Sequence, residues 1–140
     1  AKAFVGGWLE CLQPFATKPL HLNDFSMAVY QMVHRAASAA AMSRTPRLIY
    51  LHFELAGGAR GASTDQYLTD LTCLHNLLGN PTNFPFHLVE VRIKPTSAFG
   101  ALEHLKKGSS ETDLAVRAAL RSGRLFEFEE AHIQTIGSQP

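Results

Sequence analysis

A chain of 140 residues, 46% of them hydrophobic, is one domain's worth of sequence with enough apolar side chain to bury a core. Thirteen Lys and Arg against twelve Asp and Glu leave a net charge of +1, which excludes a global field for nucleic acid or an anionic membrane surface, so any basic patch must be local. No apolar run approaches the ~20 residues that span a bilayer, and Cys11 and Cys73, far apart and without metal-ligand spacing, read as buried free thiols in a reducing, cytoplasmic compartment.

The chain opens at Ala1 without a signal peptide, as a processed product or part of a longer chain would. Gly6-Gly7 predicts a turn or bulge feeding a short strand, Trp8-Leu-Glu-Cys-Leu12. Period-two geometry puts Trp8, Glu10 and Leu12 on one face of it, with Leu9 and Cys11 on the other. Pro14 and Pro19 make Gln13 to Leu22 a loop carrying one cation, Lys18. Asn23 and Asp24 are good N-caps, and Phe25, Val29, Met32, Ala36 and Ala40 follow at helical spacing, which predicts a long helix from about Phe25 closed by Pro46. Gln31 and Arg35 share one stripe of that helix.

Leu48 to Leu55 is almost continuously apolar, the pattern of a central strand covered on both faces. A glycine-rich turn, Gly57 to Thr64, leads into a helix with a stripe of Tyr67, Leu68, Leu71, Leu74 and Leu78, stopped by Gly79 and Asn80-Pro81. Phe86 to Ile93 reads as a half-exposed strand. Pro95-Thr96-Ser97 starts a short helix ending at Gly108, and Ser110-Glu-Thr-Asp113 caps another over Glu111 to Ser122. Arg124 to Ile133 alternates Phe126 and Phe128 with Glu127 and Glu129, a strand with one wet face whose acids discourage edge pairing. The tail from Gly137 reads as frayed. This alternation predicts a single α/β domain, residues 1–140, with a mostly parallel central sheet of about four strands flanked by helices and the last strand antiparallel at an edge.

Trp8-Leu-Glu-Cys-Leu-Gln-Pro-Phe15, then Tyr30-Gln-Met-Val-His-Arg35, then Arg47-Leu-Ile-Tyr-Leu-His-Phe53 resembles the second half of restriction-endonuclease-like PD-(D/E)XK nuclease domains. In that superfamily a strand carries Glu-x-Lys, the next helix often carries a Gln, and a further strand packs beside the first. The resemblance implies hydrolysis of nucleic-acid phosphodiester bonds with Mg²⁺, Glu10 as metal ligand, Gln31 positioning, and Arg35 standing in for a missing cation. Leu12 holds the place of the motif lysine, and residues 1 to 9 contain no aspartate, so the implied enzyme is catalytically degenerate or lacks its first part. The plainer reading of the same residues pairs Glu10 with Arg35 or Lys18, with Gln31 capping backbone.

Three other groupings carry chemistry. Arg60 in the glycine turn offers a small-anion site, although the turn fits no phosphate-loop pattern and reads better as a connection. Seven histidines are scattered without ligand spacing; Tyr50, His52 and Glu54 share one strand face. Arg92, Lys94, Lys106 and Lys107, with Lys18 and Arg60, are the cations available to a nucleic-acid backbone, or else ordinary solvated charge. The sequence thus supports two functions: a metal-dependent nuclease acting on nucleic acid, or a non-catalytic α/β interaction subunit in a homo-oligomer or larger assembly, neither tied to a membrane.

Overall fold

A computed structural model describes residues 2–55, 63–103, 105 and 108–137, without the side chains of residues 2–5 and 122. Its order is α1 (Lys2–Leu12), α2 (Tyr30–Met42), β1 (Leu48–Leu55), α3 (Thr64–Leu77), β2 (Phe86–Pro95), α4 (Ser97–Gly100), α5 (Ser110–Ser122) and β3 (Phe126–Ile136). Short 3₁₀ turns at Gln13–Phe15 and Leu22–Phe25 lie between α1 and α2.

Where a strand is expected at residues 8–12 there is a helix. The period-two pattern is only five residues long, whereas Trp8 and Leu12 lie one helical turn apart and Leu9 and Leu12 are both buried. Gly6 and Gly7 lie within the helix and feed no bulge; each costs about 1 kcal/mol relative to alanine. Tertiary packing offsets that cost, for the Trp8 ring sits 4.7 Å from Tyr30 and 4.7 Å from His34 of α2. Helix α2 begins five residues later than its stripe suggests, because Phe25 is buried in a 3₁₀ turn and Val29 is extended. Met32, Val33, Ala36, Ala37 and Ala40 then form its buried face.

The sheet has the order β1-β2-β3. Leu48 N–H donates to the Pro85 carbonyl at the start of β2, and the far end of β1 meets the far end of β2 at Glu54 and Arg92, so these two strands are parallel. Between β2 and β3 the paired residues are 48 apart at His87 and Thr135 and 38 apart at Arg92 and Glu130, so this pair is antiparallel. The sheet is therefore a three-stranded mixed one, not a mostly parallel four-stranded one. Loss of the first predicted strand to α1 removes the neighbour that would have made β1 central, and β1 becomes an edge. The last strand is antiparallel at the other edge, as expected, but both of its faces are exposed from Phe126 to Thr135 instead of the one wet face that its alternation predicts.

The chain divides into two compact units. The first comprises Ala1–Leu51, Ala62–Val89 and Ile133–Pro140 and holds the main core. Its strand residues in that core are Leu48, Phe86, Leu88 and Ile136, all from one face of the sheet. Phe84 stands edge-on to Phe86 at 5.1 Å and to Phe15 at 5.7 Å. Each fully buried Phe or Leu contributes about 1.5–3 kcal/mol. Ser63 caps α3 by accepting from the Gln66 N–H, and Gly79 and Asn80 end it in left-handed backbone, with Gly79 N–H to Asn76 and Asn80 N–H to His75. Thr17 clasps that end through bonds to the Leu78 and Gly79 carbonyls. His75 is fully buried, its Nδ1 on Asn80 Oδ1 at 3.2 Å and its ring edge-on to Phe86.

The second unit, His52–Gly61 with Glu90–His132, has little core. Val91 is its one buried hydrophobic among the described residues. Thr96 organises it: its Oγ1 accepts from Phe99 N–H to cap α4 and donates to the Arg124 carbonyl at 2.7 Å. The helix expected from Pro95 to Gly108 shortens to four residues. Ser109, not Ser110, caps α5. No helix among the described residues is long and apolar enough to cross a membrane.

Gly137 has φ +83°, and a Cβ there would run into the His75 ring; Gly108 has φ +79° with open space around it. Gly108→Ala should cost only the backbone strain of about 1 kcal/mol, and Gly137→Ala about 2–3 kcal/mol in urea unfolding. Equal losses would show that Gly137 does not close on His75.

Candidate functional site

Glu10 is exposed on α1, and two residues of helix place it roughly 200° around the axis from Trp8, which packs on α2. It therefore points away from the Gln31 stripe. It lines a groove of about 430 Å³ with Gly6, Leu9, Gln13, Leu20 and Leu22. Gln13 is already engaged, its Oε1 accepting from Leu20 N–H at 2.9 Å and its Nε2 donating to the Lys18 carbonyl at 3.1 Å. A magnesium ion takes about six oxygens in near-octahedral array. One carboxylate in an apolar groove does not fit it. Among the described residues no group of three His, Cys, Asp or Glu is placed to hold a metal.

Gln31 and Arg35 are both exposed on α2. Arg35 places its guanidinium carbon 5.4 Å from the centre of the Tyr50 ring, and Tyr50 in turn lies 5.9 Å from Tyr67. Neither Arg35 nor Lys18 forms an ion pair with Glu10 among the described residues. No hydrogen bond or ion pair joins Glu10, Gln31 and Arg35 among the described residues.

The expected cationic patch is also divided. Arg60, Lys106 and Lys107 lie outside the described residues. Lys18 borders a separate groove with Leu68, Thr69, Thr72 and Cys73, and Lys94 is exposed on β2. Arg92 is committed elsewhere in the second unit: its Nε stands 3.3 Å from Glu54 and 3.2 Å from Glu90, and its second nitrogen 2.7 Å from Glu130. Glu130 also meets His132 Nε2 at 3.3 Å. The Glu130 charge, above all, raises the Arg92 pKa, with Glu54 and Glu90 adding to it. Three carboxylates around one guanidinium leave this face of the sheet net acidic, which repels a phosphate backbone. The signal was present in the sequence as Glu90-Val-Arg92, two residues on one strand face opposite Glu54. Tyr50, His52 and Glu54 do share a face, with Glu54 taken up by Arg92 and Tyr50 lying under Arg35.

The cysteines are free, but Cys11 is only half-buried and Cys73 is exposed, so the expectation of two buried thiols does not hold. Position 73 falls just outside the apolar stripe formed by Leu71, Leu74 and Leu78.

The feature that sequence reasoning missed is on β1. Ile49, Leu51 and Phe53 are 58%, 56% and 56% exposed, side by side on the face that the main core does not use. Leu48 turns its N–H toward β2, so by alternation Tyr50, His52 and Glu54 do likewise, and the N–H and C=O groups of Ile49, Leu51 and Phe53 point away from β2. With β1 at the end of the strand order, those groups have no strand to bond among the described residues. A continuously apolar strand reads the same whether helices cover both faces or one face is left open, so the sequence carried no signal to tell them apart.

Arg92→Ala should lower the melting temperature by a few degrees in low salt and by clearly less at ~1 M salt, since half-exposed pairs are screened. With its pKa raised, Arg92 stays charged, so its contribution persists to strong alkali and is lost only above it. A loss independent of salt would contradict an electrostatic role.

Comparison with known proteins found no family model, no curated protein and no solved structure that matches this chain.

Proposed function

We propose that this chain is a non-catalytic α/β interaction subunit that docks through β1. One observation carries the reading: an edge strand of eight residues that presents three large apolar side chains and a row of backbone donors and acceptors with no strand to bond among the described residues. Monomeric proteins blunt such edges with charge, proline, bulges or a covering element. In β1 the ionisable side chains, Tyr50, His52 and Glu54, all alternate onto the opposite face from Ile49, Leu51 and Phe53. The free thiols suit a reducing, cytoplasmic setting.

Photo-crosslinking in cells tests this directly. A crosslinking amino acid at Leu51 should give defined adducts, while one at the exposed Arg117 of α5 should not. Equal yields at both positions, or none at Leu51, would sink the docking role.

The nuclease reading, with Mg²⁺ on Glu10 and nucleic acid as substrate, rests on the resemblance over residues 8 to 55 alone. It requires cleavage of DNA or RNA that depends on Mg²⁺ or Mn²⁺ and disappears in Glu10→Gln at unchanged melting temperature. We expect no such cleavage, and metal-dependent activity abolished by that substitution would replace the docking role with catalysis.

A further inference from the structure

We infer that the groove beside α1 is a binding site for a small primary ammonium ion with an apolar body, such as an alkylamine, held by Glu10. The site is separate from β1 and does not depend on its docking role.

The groove has two fixed walls. Gly6, Leu9, Glu10 and Gln13 follow one another three and four residues apart, so they line one stripe of α1 and of the 3₁₀ turn that continues it, and Leu20 and Leu22 line the groove from the loop. Gln13 pins that loop, because both ends of its amide are spent there, on the Leu20 N–H and the Lys18 carbonyl. The second wall is thus in place before any ligand arrives. The volume of about 430 Å³ falls in the range of small-molecule sites. Gly6 keeps one end clear: a Cβ there would meet nothing within 4 Å, so no close packing calls for glycine, yet its presence holds the groove open at a cost to helix stability.

Charge selects a cation. Glu10 is exposed at the groove and has no ion pair among the described residues. Lys18, whose carbonyl meets Gln13, borders a different groove with Leu68 and Cys73. Glu10 also stands in the last turn of α1, the end at which the helix dipole favours positive charge, and that turn carries no basic residue.

The rest of the lining decides which cation. One carboxylate cannot complete the shell of a divalent metal, and among the described residues no aromatic ring lines the groove to cage a quaternary ammonium. A primary ammonium asks for less. Its N–H groups donate to the Glu10 carboxylate and to water, while its hydrocarbon lies on Leu9, Leu20 and the exposed Leu22.

Titration of the full chain with hexylamine at neutral pH, followed by NMR amide shifts, tests the site. Hexylammonium should shift Leu9, Glu10 and Leu22 saturably, with a Kd on the order of a millimolar for about seven heavy atoms. Hexanol and hexanoate should bind at least about fivefold more weakly, because neither offers a charged donor to the carboxylate. Glu10→Gln should erase the preference for the amine. Gly6→Leu should block hexylamine without lowering the melting temperature, since leucine is the better helix former. If no shift saturates, or if hexanol binds the parent chain as well as hexylamine does, the inference fails, and neither result depends on a variant folding. A preference for the amine that survives Glu10→Gln, or shifts centred away from the groove, would overturn it as well.

Discussion

The structure depends on one asymmetry: the side chains that the strands contribute to the main core all leave from one face. Leu48, Phe86, Leu88 and Ile136 point to the same side, and with them are buried Leu12 of α1, Met32 of α2 and Leu74 of α3. Residues alternate along a strand, so a core built on one face leaves the other to pack separately, as Val91 does on β2, or to stay open. On β1 that other face is Ile49, Leu51 and Phe53. The same alternation sets the backbone, so these residues also hold the hydrogen-bonding groups of the strand that have no strand to bond among the described residues. Apolar exposure and an open edge coincide on the same three residues, and this coincidence distinguishes β1 from a surface where single hydrophobic side chains are scattered.

The elements that were legible in the sequence are those whose local signals and tertiary needs agree. The α3 stripe of Leu71, Leu74 and Leu78 coincides with a cap at Ser63 and a stop at Gly79 and Asn80, and that helix forms where its pattern places it. Strands β1, β2 and β3 lie on their apolar or alternating runs, with β3 antiparallel at an edge. Residues 8–12 failed because a five-residue window fits both periods; contact between Trp8 and the Tyr30–His34 face decided for helix, against the preference of Gly6 and Gly7. That single change moved Glu10 from a sheet face to a helix surface and removed a strand from the sheet. The candidate site built on Glu10, Gln31 and Arg35 depended on both.

Charge in this chain is organised locally. Almost balanced overall, it concentrates three glutamates from three strands on Arg92, where Glu54 and Glu130 are half exposed and Glu90 largely buried, so that one guanidinium links all three strands. Glu54 is the member that lies on the edge strand. It pairs with Arg92 in a unit that has almost no buried apolar side chain among the described residues.

Residue-resolved amide hydrogen exchange on the dilute chain reads out whether the β1 edge is open. The Ile49, Leu51 and Phe53 amides should exchange far faster than those of Tyr50 and His52 on the same strand. Uniform protection along β1 in dilute solution would mean that the edge is already covered, and would rule out β1 as an open docking strand.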